Sequence, residues 1–544
     1  MSLLDTPEQD LVRAAGLSRR DLLRIGGLTG LGAFLAACGA GPGDRPEPGA
    51  ATTPTGPAVR GGTLTWALVA DPATLTPFGV GNTSSVEVKN LVYESLVGWD
   101  KDLKVVPVLA ESWTTPNPTT YEFTLRKNVF FHSGKELDSG DVKYSFELQK
   151  APPAPGNVTA FYPKIASIET PDKYTVRFTM AQPDGTLLGY CAWLAYSFVV
   201  PAGLYDRVDT RSNADGTGPF MVRTYVPNDR VELARHPKYW QPDLPHPDAL
   251  TLKVLPDVQA RLANLVSGTI DGTTLSSDVA LTLAGNANVE VLKGPTAAFR
   301  ELHFSLRGGK PWDDVRVRQA INLVVDRQKL IDNVYGGDAS YTSKIPPSYG
   351  SWPIPQDQLK SNYEKVDVAK AKQLMADAGQ SGGFSVTMQA ISSPDDYVQI
   401  AQILAEQLKQ ININVTVQPL EIGTFAKNDS AGSFEWSLTG RGMRGDPSGY
   451  FTDFDPQGST AKAWFAGGYS NTELNGLIYA SIAETDQAKR ATMYTRMQEI
   501  VLTEWPTMPL VAPSKFQAVR KRLQNMYVSV DDTERGLAQA WVTG

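Results

Sequence analysis

Apolar and polar residues alternate in short runs through the first half of the chain and recur at helical spacing in the second half. Thr63-Leu64-Thr65-Trp66-Ala67-Leu68 follows two glycines and precedes Asp71-Pro72, which marks it as a first strand with a turn behind it. Tyr121-Glu122-Phe123-Thr124-Leu125 and Tyr174-Thr175-Val176-Arg177-Phe178 keep the two-residue period of a strand with one buried face. Thr170-Pro171-Asp172-Lys173 supplies a turn before the second of them, so antiparallel hairpins are expected early. Farther on, a helical stretch after Asp367 ends at Gly379, residues 384–388 alternate, 397–410 carry helix-spaced apolar side chains, and 411–417 is again strand-like. Helix, strand, helix, strand is the order of a sheet covered by helices through right-handed crossovers. One long helix is predicted over 315–335, with Val317, Ile321, Val324 and Val325 as its core stripe and Gly336 as its stop. Residues 516–530 look strand-rich and are expected to return to the first part of the fold.

A chain of 544 residues is longer than one hydrophobic core usually fills, about 250 to 300 residues, so two or more lobes are expected. An apolar fraction of 42% with 20% charged residues excludes wholesale disorder. The net charge is −7, with no basic run, and this argues against nucleic acid, whose affinity comes mostly from cations displacing counterions.

The first 37 residues read as an address. Arg19 and Arg20 stand just before an apolar stretch, 25–37, that is too short for a membrane span of about 20 residues. The pattern resembles a twin-arginine export signal. Leu35-Ala36-Ala37-Cys38-Gly39 resembles the lipobox of bacterial lipoproteins, which implies cleavage before Cys38 and lipid on its sulfur. Removing 1–37 takes away four arginines and four acids, so the mature charge is unchanged. From 39 to 60 the chain is mostly Gly, Pro, Ala and Thr and is expected to be a disordered tether.

Cys191 is then the one remaining cysteine; within Tyr190-Cys191-Ala192-Trp193 it reads as a small core residue. One thiol builds neither a disulfide framework nor a thiolate metal site. His132, His236, His246 and His303 are scattered, with no i, i+4 pair to preset a metal centre. There is no His-Glu-x-x-His and no Cys-x-x-Cys; Gly379-Gln380-Ser381-Gly382-Gly383 stands between a predicted helix and a predicted strand, the reverse of the strand-to-helix order of a nucleophile elbow, and Gly308-Gly309-Lys310-Pro311 lacks the spacing and hydroxyl of a phosphate loop. No catalytic residue, metal or cofactor is assigned, and the chain is read as a non-enzyme.

Several segments in order resemble the dipeptide, oligopeptide and nickel-binding family of solute-binding proteins, family 5, that serve ATP-binding-cassette (ABC) importers. They include Gly61-Gly62-Thr63-Leu64-Thr65, Val92-Tyr93-Glu94-Ser95-Leu96-Val97, Phe131-His132-Ser133-Gly134, Gly216-Thr217-Gly218-Pro219-Phe220, His236-Pro237-Lys238-Tyr239-Trp240 and Pro311-Trp312-Asp313-Asp314-Val315. The resemblance implies an α/β, two-lobed periplasmic-binding-protein-like type II fold with an extra subdomain in lobe I. It places lobe I at 61–296 and 512–544, the inserted subdomain near 97–211, and lobe II at 297–511. It also implies a monomer on the outer face of the cell membrane, held by lipid, whose partners are a peptide or other small polar solute, a permease and ATPases. A nickel chelate, haem or a sugar on the same fold, or an exported hydrolase, are the alternative readings.

In peptide-binding relatives, a segment similar to 436–451 supplies an aspartate for the ligand's α-amino group, and the matching position here is Met443. Arg441 and Arg444 offer forked donors for a carboxylate instead, with Asp446 beside them. Trp436 and Tyr450 are expected as aromatic contacts from lobe II; Phe78, Trp193, Thr217 and Gly218 are expected as cleft walls from lobe I. On this reading, alanine at Trp436 or Arg441 weakens binding and leaves thermal stability nearly unchanged.

Overall fold

The computed structural model describes residues 50–543, apart from 80, 101–102, 151–163, 194–196, 284, 395, 467 and 532. The export signal with Arg19 and Arg20, the lipidation site Cys38 and the tether up to residue 49 lie outside the described residues.

Two large sheets organise the chain. In the first, Thr63–Leu68 lies centrally, parallel to both Ala249–Val254 and Gly272–Leu275. Phe220–Val226 and Arg230–Arg235 extend one side, Lys515–Arg520 and Val289–Gly294 the other. The second sheet runs in the order Ala339–Tyr341, Thr507–Pro513, Phe299–Phe304, Trp436–Arg441, Phe384–Ile391, Ile413–Leu420. The chain crosses between the sheets twice, after Gly294 and after Pro513, so each sheet with its helices forms a lobe joined to the other by two short connections.

Inserted between Thr63–Leu68 and Phe220–Val226 of the first sheet, a separate four-stranded antiparallel sheet forms from Ala110–Asn117, Thr120–Leu125, Thr175–Met180 and Ile165–Asp172. It has its own core, in which Tyr121, Phe123 and Leu125 alternate inward and pack with Val176, Phe178 and Phe146. Cys191 is buried there too, and burial pushes its thiol well up, as suits a core residue rather than a nucleophile.

Local chemistry explains where three sequence expectations fail. The helix predicted over 315–335 is two helices, Val315–Val324 and Arg327–Tyr335. Val325 is extended, and Asp326 caps the second helix by accepting a hydrogen bond from the Lys329 amide at 3.2 Å. The apolar stripe continues through both, so periodicity alone conceals the break. The strand predicted from 411 starts at Ile413, because Lys409–Ile411 form a short 3₁₀ turn and Asn412 takes the left-handed conformation at φ 59. The end of the expected tether is held rather than free. The Thr52 amide donates to the Met526 carbonyl at 2.8 Å, the Val528 amide to Ala50 at 2.9 Å, and the Thr55 amide to the Gln524 side chain at 2.9 Å.

Candidate functional site

The helix Leu187–Ala192 of the inserted subdomain meets the second lobe across a seam of glycines. Gly189 stands so close to the lobe II loop that a Cβ on it would lie 2.2 Å from the Gly445 carbonyl oxygen. A Cβ on Gly185 would lie 2.0 Å from the Glu484 carbonyl oxygen. Backbone therefore touches backbone, and hydrogen bonds follow: the Gly185 amide donates to Ile482 at 2.7 Å, and Arg490 donates to the Gly185 carbonyl at 3.2 Å. On the other face of the seam, Tyr190 and Trp193 pack against Gly445.

Beside this contact lies a cavity of about 490 Å³. The subdomain contributes Trp99, Leu103, Lys104 and Leu188; the second lobe contributes Tyr349, Trp352, Gly445, Asp446 and Arg490. Aromatic walls with a few convergent polar groups are the ordinary make-up of a small-molecule site.

The predicted residues fall into two groups. Trp193, Arg444 and Asp446 come together at the seam. Asp446 is buried and fully engaged: Arg490 donates to its two oxygens at 2.7 and 2.8 Å, Tyr494 donates at 2.8 Å, and the carboxylate caps the turn Pro447–Tyr450 through the Ser448 amide. Burial pushes the Tyr190 phenol up, with Asp446 adding to the effect and Arg444 opposing it, so the Arg444 charge is felt across the seam. The Arg444 backbone is fixed by Tyr349, whose hydroxyl accepts from the Arg444 amide at 2.9 Å and donates to its carbonyl at 2.5 Å. Met443 is buried against the lobe II core. Tyr450 is buried, donates to the Ala297 carbonyl at 2.9 Å and packs on Phe299 and Tyr349, which ties the loop to the first crossing between lobes.

The other group is structural. Trp436 opens the central strand Trp436–Arg441 rather than a loop, and its fully buried indole packs among Phe304, Trp312 and Phe384. It is a core residue, contrary to the expectation of a ligand contact. Arg441 is spent inside lobe II, donating to Glu301 at 3.1 Å and to Asp453 at 2.6 Å. Lys344, His303 and Thr507 converge on the same Glu301, and against the burial that would raise it Lys344, the His303 hydrogen bond and Arg441 hold its carboxyl well below the usual range. Phe78 is buried in the core of the first lobe. Thr217 donates to Glu94 at 2.9 Å, and Gly218 lies so close to Val92 that a Cβ would meet its carbonyl carbon at 2.6 Å. Both hold the first lobe together rather than line the seam.

Sequence reading missed Trp99, Leu188, Gly189, Tyr349, Trp352 and Arg490. One signal was present: a glycine inside an apolar helical run marks a close backbone approach.

Glu94 joins the first lobe to its insertion and accepts from Tyr239 at 2.8 Å, Thr217 at 2.9 Å and Trp240 at 3.1 Å. Burial raises its carboxyl from 4.5 to about 7, outweighing these donors and the more distant Arg535. The folded protein thus holds this proton more tightly than the unfolded chain does. Stability is expected to fall as pH rises from 4.5 through about 7, by on the order of 3 kcal/mol. Urea unfolding of wild type and Glu94→Gln across that range checks it: the variant should lose this part of the slope, and parallel curves would count against it.

The chain matches the family described as bacterial extracellular solute-binding proteins, family 5, over residues 104–461. It is 28% identical over 489 residues to the glutathione-binding protein GsiB of Salmonella paratyphi A, covering 84% of this chain and 90% of that one. Its structure is similar to that of AgaA, a periplasmic binding protein from A. tumefaciens R10 in complex with agropinic acid, with a TM-score of 0.74 at 25% identity over 89% of this chain and 99% of the other. The fold is also that of DppA from Helicobacter pylori, in complex with the peptide STSA, with a TM-score of 0.73 at 23% identity and coverages of 89% and 99%.

Proposed function

Since the chain belongs to the family 5 bacterial extracellular solute-binding proteins, we propose that it captures a peptide or other small polar solute between its lobes and delivers it unaltered to the permease of an ABC importer. The observation that carries this reading is the cavity of about 490 Å³, walled by the inserted subdomain on one side and by the second lobe on the other. A guest enclosed there leaves water on both faces, and its differential affinity for the closed arrangement shifts the lobes towards closure. The permease then reads loading as shape.

The lobe limits we propose are 61–296 with 512–544, and 297–511, with the insertion at 97–211. The two crossings, after Gly294 and after Pro513, support them. Trp193, Arg444 and the Asp446 loop form the contact surface of the site. The twin arginines Arg19 and Arg20 and the lipobox cysteine Cys38 support export and anchoring as a monomeric lipoprotein on the outer face of the membrane, near its permease. No helix among the described residues is long and apolar enough to cross a membrane.

Purification from its own cells tests both parts at once. The protein should leave the membrane only with detergent and, when denatured, release a small solute of unchanged mass. Adding that solute back should contract the scattering profile. A profile indifferent to the solute, or its chemical conversion, would sink the proposal.

A further inference from the structure

Resting on that capture reading, we infer that Arg490 is a positioning residue of the site: one guanidinium holds the Asp446 turn inside the second lobe and fastens it to the inserted subdomain. Arg490 lies on the helix Gln487–Glu504 and is buried. Its donors are divided between the two sides of the seam. Within the second lobe, Nε donates to the Ser481 carbonyl at 2.9 Å, and Nη2 reaches the two Asp446 oxygens at 2.7 and 2.8 Å and the Tyr494 hydroxyl at 2.7 Å. Nη1 has a different partner, the carbonyl of Gly185 in the subdomain, at 3.2 Å. The planar group makes this division possible, since Nε and Nη2 share one edge and Nη1 points away from it.

Gly185 is the matching half. Its amide donates to the Ile482 carbonyl at 2.7 Å while its carbonyl accepts from Arg490, so both backbone groups of one subdomain residue are held by the second lobe. Only glycine allows this approach, because a Cβ there would lie 2.0 Å from the Glu484 carbonyl oxygen. Gly185, Asp446 and Arg490 all line the cavity of about 490 Å³, and the guanidinium lies 5.7 Å from the ring centre of Trp352, another of its walls. The fastening therefore sits in the wall that the guest touches. The ion pair with Asp446 needs nothing from the subdomain and survives when the lobes part; the bond to Gly185 does not. A guest that steadies the Asp446 turn thus steadies the one side chain that joins this turn to the subdomain backbone.

Hydrogen exchange on the full chain, with no guest added, tests the fastening itself. In the wild type the Gly185 amide should exchange slowly and together with the helix Leu187–Ala192. Arg490→Lys keeps a positive charge beside Asp446 but has no second edge for Gly185, and should speed exchange at 185–192 by about 10-fold while Trp436–Arg441 stays protected. Tyr494→Phe removes a bond to Asp446 without touching Gly185, and should leave exchange at 185–192 as in the wild type. Fast exchange of the wild-type Gly185 amide, which is decisive even where a variant fails to fold, or equal acceleration in both variants, overturns the inference. The solute that denaturation releases from the purified protein is then added back. It should slow exchange at 185–192 in the wild type and bind Arg490→Lys about 10- to 100-fold more weakly, mainly through faster release. Full affinity in Arg490→Lys overturns the positioning role and leaves capture standing. A solute that alters exchange nowhere in a wild type whose Gly185 amide is protected overturns the capture reading instead.

Discussion

Trp436→Ala should lower the melting temperature by roughly 10 °C, the consequence of losing about 3 to 5 kcal/mol from the core of the second lobe. The indole is fully buried and lies 5.3 Å from Phe304, 5.7 Å from Trp312 and 6.3 Å from Phe384 between ring centres. It sits at the heart of the sheet, paired across to Phe304 on one side and Met388 on the other. Backbone pairing on both flanks leaves little room to collapse onto the void, which places the cost at the upper end. The indole nitrogen has no hydrogen-bond partner among the described residues, so the loss is one of packing, and Trp436→Phe should recover much of it. Calorimetry and binding titration on the same preparations decide between core and contact. A melting temperature that stays put while affinity falls would return Trp436 to the ligand surface.

The strands were the most legible part of the fold. Thr120–Leu125 announces itself because one face is buried and the other wet, so the alternation in the letters is the alternation in burial. Trp436–Arg441 failed the same reading because a central strand is covered on both faces, its residues carry no alternation, and the glycine-rich run after it resembles a loop from the start. Of the site, the Arg444 to Asp446 turn was legible, since a dense run of glycine, proline and charge must be a special loop. Its partners were not. Trp99, Gly189 and Arg490 lie on distant segments, and what they share is a position in space that only the packing of the subdomain against the second lobe creates. Arg441 and Arg444 look equivalent in sequence; Glu301 and Asp453 claim one and leave the other.

Gly189→Ala should separate folding from closure. Glycine in a helix interior is disfavoured relative to alanine by about 1 kcal/mol, so within its own subdomain the substitution is expected to be neutral or stabilising. Across the seam it is not. The new methyl would lie 2.2 Å from the Gly445 carbonyl oxygen, whereas such contacts settle near 3.3 Å, so the lobes must part by about 1 Å at this point. Neither side can rotate away, since the obstruction is a Cβ on one chain segment and backbone on the other. Gly185, whose own Cβ would lie 2.0 Å from the Glu484 oxygen, fixes the adjoining contact and prevents a compensating slide. The closed arrangement is then disfavoured by an amount the guest must overcome with its differential affinity, and apparent affinity falls by the same factor, about 10- to 100-fold. Apo protein should melt at or slightly above the wild-type temperature, and its scattering profile should stay expanded at guest concentrations that close the wild type. Wild-type affinity with a compact profile in Gly189→Ala would show that the seam is not what limits closure.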